Sequence, residues 1–332
     1  MKILVIRFSS IGDIVLTTPI VRALKTQLPA CEIHFITKKA FAGILEHNPN
    51  IDHLFTIEKS ISEVLSSLKA EKYDYVIDLH RNTRTLSLKL KLGRPSFSFP
   101  KLNLSKWLLV NFKYQSMPQL HVVDRYFKAV EKLGVKNDLQ PCDFFIQTSD
   151  EVNIENSIGL VPKSYISIAI GAQFATKRMP FNKLEEIIQA VDFPVVLIGG
   201  PTDKKLAEML VERFPLKKLI NACGAYNLAQ SASIVQQSAV LLSNDTGMMH
   251  IASCFEIPTV SVWGNTVPEL GMYPYFPANN NAYSIHQVNN LTCRPCSKIG
   301  FKECPKKHFN CMQLQKSDQI VSDLKERFGA SK

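Results

Sequence analysis

The chain has 332 residues, of which 45% are hydrophobic and 20% charged, a composition typical of a globular protein rather than a disordered one. Its length suffices for two domains of ordinary size. The 39 basic residues outnumber the 29 acidic ones, and the net charge of +10 favours an anionic partner. No apolar run approaches the roughly 18 residues that a membrane span requires, and the N-terminal apolar run is too short for a signal peptide. We therefore expect a cytoplasmic protein.

The first half of the chain alternates predicted strands with predicted helices. Apolar runs predict strands at 2–7, 32–37, 53–57 and 73–79, and amphipathic patterns predict helices at 13–28, 60–69 and 122–134. Because the strand runs are continuously apolar, the pattern indicates a parallel sheet that is covered by helices on both faces.

The same alternation starts again after Ser149. Strands are predicted at 165–170, 194–198, 218–221, 239–242 and 259–262, and helices at 181–191, 203–214 and 317–328. Two Rossmann-like halves of similar size imply a cleft between them. We place the domains at residues 1–155 and 156–315, and we expect the final segment, 316–332, to form a helix that packs back across the domains.

A polar turn between a buried strand and a helix is the most informative feature of the chain. The run at 238–242 predicts the strand, and a second apolar run beyond Gly247 predicts the helix. Open α/β sheets bind ligands at the carboxyl ends of their strands, where free helix N–H groups attract anions. Gly247 permits close approach to the backbone, Thr246 supplies a hydroxyl, and His250 lies one turn further along. We predict a phosphate or diphosphate site around Asp245.

A second turn, at residues 7–13, joins the first predicted strand to the first helix. It matches neither the G-x-G-x-x-G nor the P-loop pattern. Gly12 permits a tight turn, and Ser10 could line a cleft. Two interpretations of Asp13 stay open: an N-cap of the helix, or a general base at the mouth of the cleft. Both can hold, because a helix N-terminus favours the ionised carboxylate.

Two further turns follow strands of the second half. Lys177 and Arg178 follow the strand at 165–170, so we expect them at the same sheet edge as Asp245. They are either solvated loop charges or cations that neutralise a diphosphate leaving group.

The turn at residues 199–203 again leads from a strand into a helix. Thr202 or Asp203 is the expected N-cap, and one of them could also bind a ribose hydroxyl. No D-x-D triplet occurs in the chain, whereas enzymes that bind nucleotide diphosphates through a metal commonly use paired carboxylates. We therefore expect chemistry that does not need a divalent metal.

The stretch from His80 to Lys113 contains eight Lys or Arg residues and no acidic residue. It is either a solvated basic face or a surface for an anionic partner. Trp107 and Phe112 lie within it, and basic residues mixed with aromatic ones favour contact with an anionic membrane surface. Nucleic acid is disfavoured, because the chain carries no nucleic-acid-binding signature.

Four of the eight cysteines lie close together near the C-terminus. With a histidine they form the pattern C-x₂-C-x₇-C-x₃-H-x₂-C, built from Cys293, Cys296, Cys304, His308 and Cys311. Thiolate and imidazole ligands suit zinc, and a reducing cytosol disfavours disulfides. The cluster is a candidate structural zinc site, and unliganded thiols are the alternative. A catalytic role is not expected.

Two of these motifs together resemble those of glycosyltransferase family 9, the bacterial ADP-heptose:lipopolysaccharide heptosyltransferases. Residues 7–19 are similar to the opening motif of the family, and residues 245–252 are similar to its sugar-nucleotide motif. The resemblance covers most of the chain and implies the GT-B fold, an α/β fold in which two Rossmann-like domains with parallel sheets face a central cleft. The N-terminal domain would bind the acceptor and the C-terminal domain the nucleotide sugar.

The resemblance also implies roles for particular residues. Asp13 would be the general base that takes the proton from an acceptor hydroxyl, and the configuration at the anomeric carbon would invert. Donor or phosphate contacts would come from Lys177, Thr202, Asp245, Thr246, Gly247 and His250, although many family members place a Glu near Thr202. Acceptor contacts would come from Ser10, Gly12, Arg81 and Arg84.

The implied reaction moves heptose from ADP-heptose to an anionic lipopolysaccharide inner-core acceptor, with no cofactor required. Peripheral contact with the inner face of the inner membrane would follow from such an acceptor. Two alternatives stay open: a family member that uses another nucleotide sugar or acceptor, and a non-catalytic protein that binds nucleotide sugars. Asp13 argues against the second alternative, because a silent protein needs no base there.

Overall fold

Two parallel β-sheets form the framework of the protein, which the computed structural model describes over residues 1–331, apart from the side chain of Asn280. The strands of the first sheet are β1 (Lys2–Ile6), β2 (Glu32–Lys38), β3 (His53–Ile57), β4 (Tyr75–Asp78) and β5 (Ser96–Ser98). Those of the second are β6 (Ile166–Ala169), β7 (Val195–Ile198), β8 (Leu219–Asn221), β9 (Val240–Asn244), β10 (Thr259–Trp263) and β11 (Tyr283–Gln287). Sequence patterning predicted all of these strands except β5 and β11, which are short or only half-buried.

Helices connect the strands and cover the sheets. They are α1 (Ile11–Val15), α2 (Thr18–Gln27), α3 (Leu65–Ala70), α4 (Thr83–Leu92), α5 (Asn103–Phe112), α6 (Val122–Phe127), α7 (Ile154–Ile158), α8 (Phe181–Ala190), α9 (Lys204–Arg213), α10 (Leu228–Gln236), α11 (Gly247–Cys254), α12 (Asn310–Gln313) and α13 (Ser317–Ala330). Over the described residues, none of the helices combines the length and the apolar character needed to cross a bilayer.

The chain divides into two compact units. Unit one contains Met1–Leu102 and Gln119–Phe145, and unit two contains Asn103–Pro118 and the chain from Ile146 onward. The sequence predicted one division, between residues 155 and 156, so the division observed here differs by about ten residues and by the transfer of α5. Helix α13 packs against α8, β9 and β10 of unit two, because its apolar face completes the core there.

The strand order explains where ligands can bind. The first sheet has the order β3-β2-β1-β4-β5 and the second β11-β10-β9-β6-β7-β8, with parallel pairing between neighbours. Ile6 pairs with Asp78 in the first sheet, and Ala169 pairs with Ser243 in the second. The turns that follow these strands therefore start at the same sheet edge within each unit.

Helices cover both faces of the second sheet. Ile168 and Leu242 belong to one buried cluster, whereas Tyr165 and Leu241 belong to another. Because successive side chains of a strand point to opposite faces, each face of the sheet has its own core. Phe328 of α13 lies in the first of these clusters and stacks on Phe193.

The predicted helix at 13–28 is in fact two helices, α1 and α2. Pro19 sits in the first turn of α2, where it has no N–H to donate and its ring would clash with the carbonyl four residues earlier. The hydroxyl of Thr17 donates to the carbonyl of Ile14 at 2.6 Å, and that of Thr18 donates to the carbonyl of Val15 at 2.8 Å. The break leaves α1 as a single short helix that follows the turn at 7–10.

We expect the substitution Gly171→Ala to destabilise unit two. Gly171 follows β6, and a Cβ atom there would lie 2.2 Å from Oδ2 of Asp203, which accepts a hydrogen bond from the backbone of Gly200. A buried carboxylate must move, so the free energy of unfolding should fall by about 1–3 kcal/mol, as in other overpacked sites. Urea unfolding measures the change. Gly43→Ala is the control, because nothing lies within 4 Å of a Cβ there, and an equally small effect for both variants would contradict the prediction.

Candidate active site

Asp13 lies in the first turn of α1, at the carboxyl end of β1. Its Oδ2 accepts hydrogen bonds from the backbone N–H of Ser10 at 3.3 Å and from the hydroxyl of Ser10 at 2.8 Å. Ser10 is therefore the N-cap, and Asp13 is the third residue of the helix rather than the cap that one interpretation predicted. The preference of aspartate for the N-cap position therefore does not explain why an aspartate stands at position 13. Gly12 is buried within α1.

Arg7 holds the other oxygen of this carboxylate. Its Nη2 lies 2.5 Å from Oδ1 of Asp13, and its remaining donors reach the carbonyls of Ser9 and Leu79. The Arg7 side chain is 9% exposed and that of Asp13 is 25% exposed. Burial opposes the charge of Arg7, but Asp13 and Tyr126 raise the pKa of the guanidinium above its usual value. A permanently charged group thus orients the Asp13 carboxylate.

His80 is a residue of this site that sequence reasoning missed. It lies two residues beyond β4, and its ring is 5.3 Å from that of Phe8, centroid to centroid. Burial, then the charges of Arg7 and Lys101, lower the pKa of His80 to about 4, while Asp13 and Asp78 act in the opposite direction. The imidazole is therefore neutral at physiological pH. Its Nδ1 is buried and makes no hydrogen bond with any residue in the described part of the chain.

The turn after β4 also presents the two predicted acceptor arginines. Oδ1 of Asp78 accepts the backbone N–H groups of His80 and Arg81, and this fixes the turn. Arg81 is exposed and donates from Nη1 to the carbonyl of Phe99 at 3.0 Å. The guanidinium of Arg84 lies 5.5 Å from the centre of the Phe8 ring. Within unit one, Ser10, Asp13 and both arginines thus follow the ends of two adjacent strands.

An ion pair forms the centre of the predicted donor site in unit two. Nζ of Lys177 lies 2.6 Å from Oδ2 of Asp245, and the hydroxyl of Thr266 donates to the same oxygen at 2.7 Å. The Lys177 side chain is 17% exposed and that of Asp245 is 10% exposed. Sequence reasoning expected Lys177 and Asp245 at one sheet edge but missed Thr266. A polar residue soon after β10, at that same edge, was the signal that could have found it.

The residues that follow Asp245 begin α11. Thr246 is the N-cap, in an extended conformation, and its Oγ1 lies 3.2 Å from the hydroxyl of Ser243. The helix starts at Gly247, and His250 is 2% exposed on its buried face. The first N–H groups of α11 therefore follow Asp245 within a few residues of the chain.

The two candidate residues of the turn after β7 differ in burial: Asp203 is buried and Thr202 is exposed. Asp203 is 5% exposed, accepts the backbone N–H of Gly200 at 2.9 Å, and lies 3.4 Å from Nη1 of Arg178. Its carboxylate thus holds the turn together. Thr202 is exposed beside it. Arg178 lies beside Asp203 and donates from Nε to the carbonyl of Ala172. Its guanidinium is therefore placed at Asp203, whereas Lys177 is placed at Asp245.

The predicted cysteine cluster lies in the segment that we call the cysteine loop, residues 293–311. Sγ of Cys293 lies 3.9 Å from Nε2 of His308. Burial, and then the neighbouring Cys293, raise the pKa of Cys296 to about 11. Burial also raises the pKa of Cys311 to about 12, with contributions from Cys296, Cys304 and Cys293. The four thiols therefore share one neighbourhood, and all are unbridged.

Ligand distances set a stricter test for a metal site. Within residues 1–331, the only group of three or more candidate ligand atoms that all lie within 4.8 Å of one another is Glu32, His34 and Glu71. There the ammonium of Lys2 already lies 2.6 Å from Glu71 and 3.2 Å from Glu32. In the cysteine loop, the ligand types suit zinc, but several side chains must rotate before they surround one ion.

Two units, each built on a parallel sheet with charged turns after its strands, have the GT-B fold. Structural comparison agrees: a family 9 glycosyltransferase from Veillonella parvula superposes with a TM-score of 0.78 at 22% identity, covering 99% of this chain and 97% of that one. The ADP-heptose lipopolysaccharide heptosyltransferase II of Escherichia coli superposes with a TM-score of 0.72 at 19% identity, covering 99% of both.

Sequence comparison gives the family. The model of glycosyltransferase family 9 (heptosyltransferase) matches residues 61–307, and the chain belongs to this family. Lipopolysaccharide heptosyltransferase 1 of Campylobacter coli is 22% identical over 99% of both chains. The protein is therefore a glycosyltransferase, as its motifs predicted.

The neutral state of His80 has a consequence for acid stability. Its pKa of about 4 in the folded protein lies below the value of about 6.5 that an unfolded chain has, so the unfolded state binds more protons between these values. Linkage then makes the folded state less stable as the pH falls through this interval.

We expect His80→Gln to lose part of this acid sensitivity. The urea midpoint should drop less between about pH 7 and about pH 5 in the variant than in the unchanged protein, because only a titrating group contributes to the difference. NMR provides a direct check: the imidazole resonance that disappears in the variant should shift only slightly over this range, because its pKa of about 4 lies below it. A titration with a midpoint near 6.5 would contradict the assigned environment.

Proposed function

We propose that this protein transfers heptose from ADP-heptose to an anionic, lipid-linked inner-core acceptor of lipopolysaccharide, with inversion and without a divalent metal. One observation carries the proposal: a carboxylate, Asp13, is held at the end of β1 with both oxygens oriented by Arg7 and Ser10. Membership of a heptosyltransferase family supports the sugar, and the ADP-heptose named for the Escherichia coli relative supports the nucleotide. A lipid-linked acceptor also implies work at the cytoplasmic face of a membrane.

On the acceptor side, Asp13 acts as the general base. Arg7 binds Oδ1 of Asp13, and the backbone N–H and hydroxyl of Ser10 both bind its Oδ2, so the carboxylate is held in one orientation toward an acceptor hydroxyl. A carboxylate fixed in this way does not need to reorient when the proton moves. Arg81 and Arg84 contribute positive charge for an acidic acceptor sugar.

On the donor side, Lys177 and the start of α11 stabilise the diphosphate. The Lys177 ammonium is a compact charge on a flexible stem, so it can contact a phosphate while it stays near Asp245. Thr246 and Gly247 present a hydroxyl and backbone N–H groups, and Thr202 contacts the ribose. Asp245, held by Thr266, orients this segment, and we assign Asp245 and His250 to the donor side.

The reaction then proceeds as one displacement. Asp13 takes the proton of the acceptor hydroxyl, and the acceptor oxygen forms a bond to the anomeric carbon. The bond between that carbon and the β-phosphate oxygen breaks, and ADP leaves with its negative charge beside Lys177. Attack occurs opposite the leaving group, so the anomeric configuration inverts.

The donor and acceptor are tested directly by incubating the protein with ADP-heptose and a Kdo-bearing lipid acceptor. Mass spectrometry should detect one added heptose, and NMR of the product should report the inverted anomeric configuration. A panel of other ADP-, UDP- and GDP-sugars is the control. Transfer of a different sugar, or binding without transfer, would contradict the proposal and favour one of the two alternatives.

Asp13→Asn should reduce turnover by at least about 10²-fold, the lower range for loss of a general base. The amide cannot accept the proton, which lowers turnover. Because it keeps the size of the side chain, ADP affinity should be unchanged. Single-turnover kinetics and ADP titration calorimetry measure the two effects. The control is Asp192→Asn, because the Asp192 side chain is 85% exposed. Near-normal turnover in Asp13→Asn would remove Asp13 as the base.

Lys177→Met should weaken ADP binding by about 10- to 100-fold, because this is the loss of affinity that follows when one hydrogen bond to a charged group is removed. Calorimetry with ADP measures the loss. Lys205→Met is the matched control on α9, where the lysine is exposed. Unchanged ADP affinity in Lys177→Met would exclude the phosphate role.

We also propose that the cysteine loop binds one structural zinc ion through Cys293, Cys296, Cys304 and either His308 or Cys311. The separation of Cys293 Sγ and His308 Nε2, 3.9 Å, is close to the distance of about 3.5 Å between two ligands of a tetrahedral zinc. A bound ion would tie the loop together and would take no part in transfer.

Elemental analysis of the purified protein tests the zinc site. We expect about one zinc per chain, reduced to a small fraction in Cys293→Ser and Cys304→Ser, because each removes a thiolate ligand. Cys254→Ser is the control outside the loop. Substoichiometric metal in the unchanged protein would exclude the site, and iron in place of zinc would correct the identity of the ion.

A further inference from the structure

Helix α5 exposes large apolar side chains that the glycosyl transfer does not use. Leu104 is 70% exposed, Trp107 is 52% exposed and Phe112 is 65% exposed. The rings of Trp107 and Phe112 contact each other with their centroids 5.1 Å apart. Leu109 is the residue of this helix that is buried. Apolar side chains exposed together in this way mark an interaction surface rather than a solvated one.

The cysteine loop continues this surface on the same unit. Nζ of Lys113, at the end of α5, donates to the carbonyl of Pro295 in the loop at 2.7 Å, so the two segments are neighbours. The loop exposes two further apolar side chains, Ile299 at 53% and Phe301 at 38%. This hydrogen bond therefore joins two separate segments that each expose apolar side chains.

The charge around these apolar groups is positive. Residues 103–118 include Lys106 and Lys113 and no acidic residue. The cysteine loop contains a single acidic residue, Glu303, against five basic ones. Four of those basic residues are exposed lysines: Lys298, Lys302, Lys306 and Lys307.

We propose that α5 and the cysteine loop together form a docking surface for an anionic lipid bilayer. The apolar side chains would enter the boundary between headgroups and acyl chains, and the lysines would contact the lipid phosphates. The charge selects this partner over a second copy of the chain, because two surfaces of the same positive sign repel each other. A neutral apolar partner would leave the lysines without a role.

This inference rests on the proposed function for its purpose, since a lipid-linked acceptor requires a membrane-bound enzyme. Its test uses neither sugar nucleotide nor acceptor. A failure of heptose transfer and a failure of membrane docking are therefore observed in separate experiments.

Tryptophan fluorescence tests the docking directly. The chain has two tryptophans, Trp107 on α5 and Trp263, which is 1% exposed in β10. We expect vesicles rich in phosphatidylglycerol to shift the emission of the full-length protein to shorter wavelength, and brominated phosphatidylglycerol to quench it. Trp107→Ser should remove both effects and leave the Trp263 emission unchanged. If the emission of the unchanged protein neither shifts nor is quenched, the proposal is overturned, and no variant is needed for this conclusion.

Vesicle composition and two substitutions test the two parts of the surface. Phosphatidylcholine vesicles should bind at least about 10-fold more weakly than anionic ones, and added salt should weaken the anionic binding. Phe112→Ser and Lys302→Glu should each lower the partition coefficient at least about threefold. Leu216→Ser is the apolar control, because Leu216 is 99% exposed on another segment, and an unchanged circular dichroism spectrum confirms that each variant is folded.

Two outcomes would assign the surface differently. Equal binding to neutral and anionic vesicles would overturn the role of the lysines, and with it the proposal. Concentration-dependent dimerisation that Phe112→Ser abolishes, without lipid binding, would assign the surface to a second copy of the chain.

Discussion

The candidate site depends on the register of two parallel sheets. In each sheet the carboxyl ends of the strands lie at one edge, so turns that are far apart in the chain start side by side. The pairing of Ile6 with Asp78 brings the Asp13 turn beside the His80 turn, and the pairing of Ala169 with Ser243 brings the Lys177 turn beside Asp245. Burial on both faces keeps this register, because a shift by one residue would turn every side chain to the opposite face.

Both units place one carboxylate and one cation at that edge, but the two pairs are built differently. Arg7 is a rigid fork that also binds two carbonyls, so it holds Asp13 in one orientation. Lys177 is a flexible point charge that meets Asp245 and can also turn to a phosphate. In the proposed mechanism, the fixed cation would hold the base in place, and the mobile cation would stabilise a leaving group that must be released.

Particular residues show how far sequence reasoning reaches. The family, the fold class, most strands and the meeting of Lys177 with Asp245 were predictable, because buried strands and polar turns leave strong local patterns. The break between α1 and α2 was missed although Pro19 signalled it. Helix α5 was not predicted, since its exposed apolar residues do not have the one-sided pattern of a core helix.

Local patterns in the chain were enough to identify a two-part α/β glycosyltransferase with a carboxylate after the first strand, and they predict an anion site after a later strand. The partners of those groups came only from the folded chain: Arg7 on Asp13, Thr266 on Asp245, and the neutral His80 beside both Arg7 and Asp13. The reason is physical. A residue type and its strand position are local properties, whereas a hydrogen bond, a buried charge and a shifted pKa depend on which strands become neighbours.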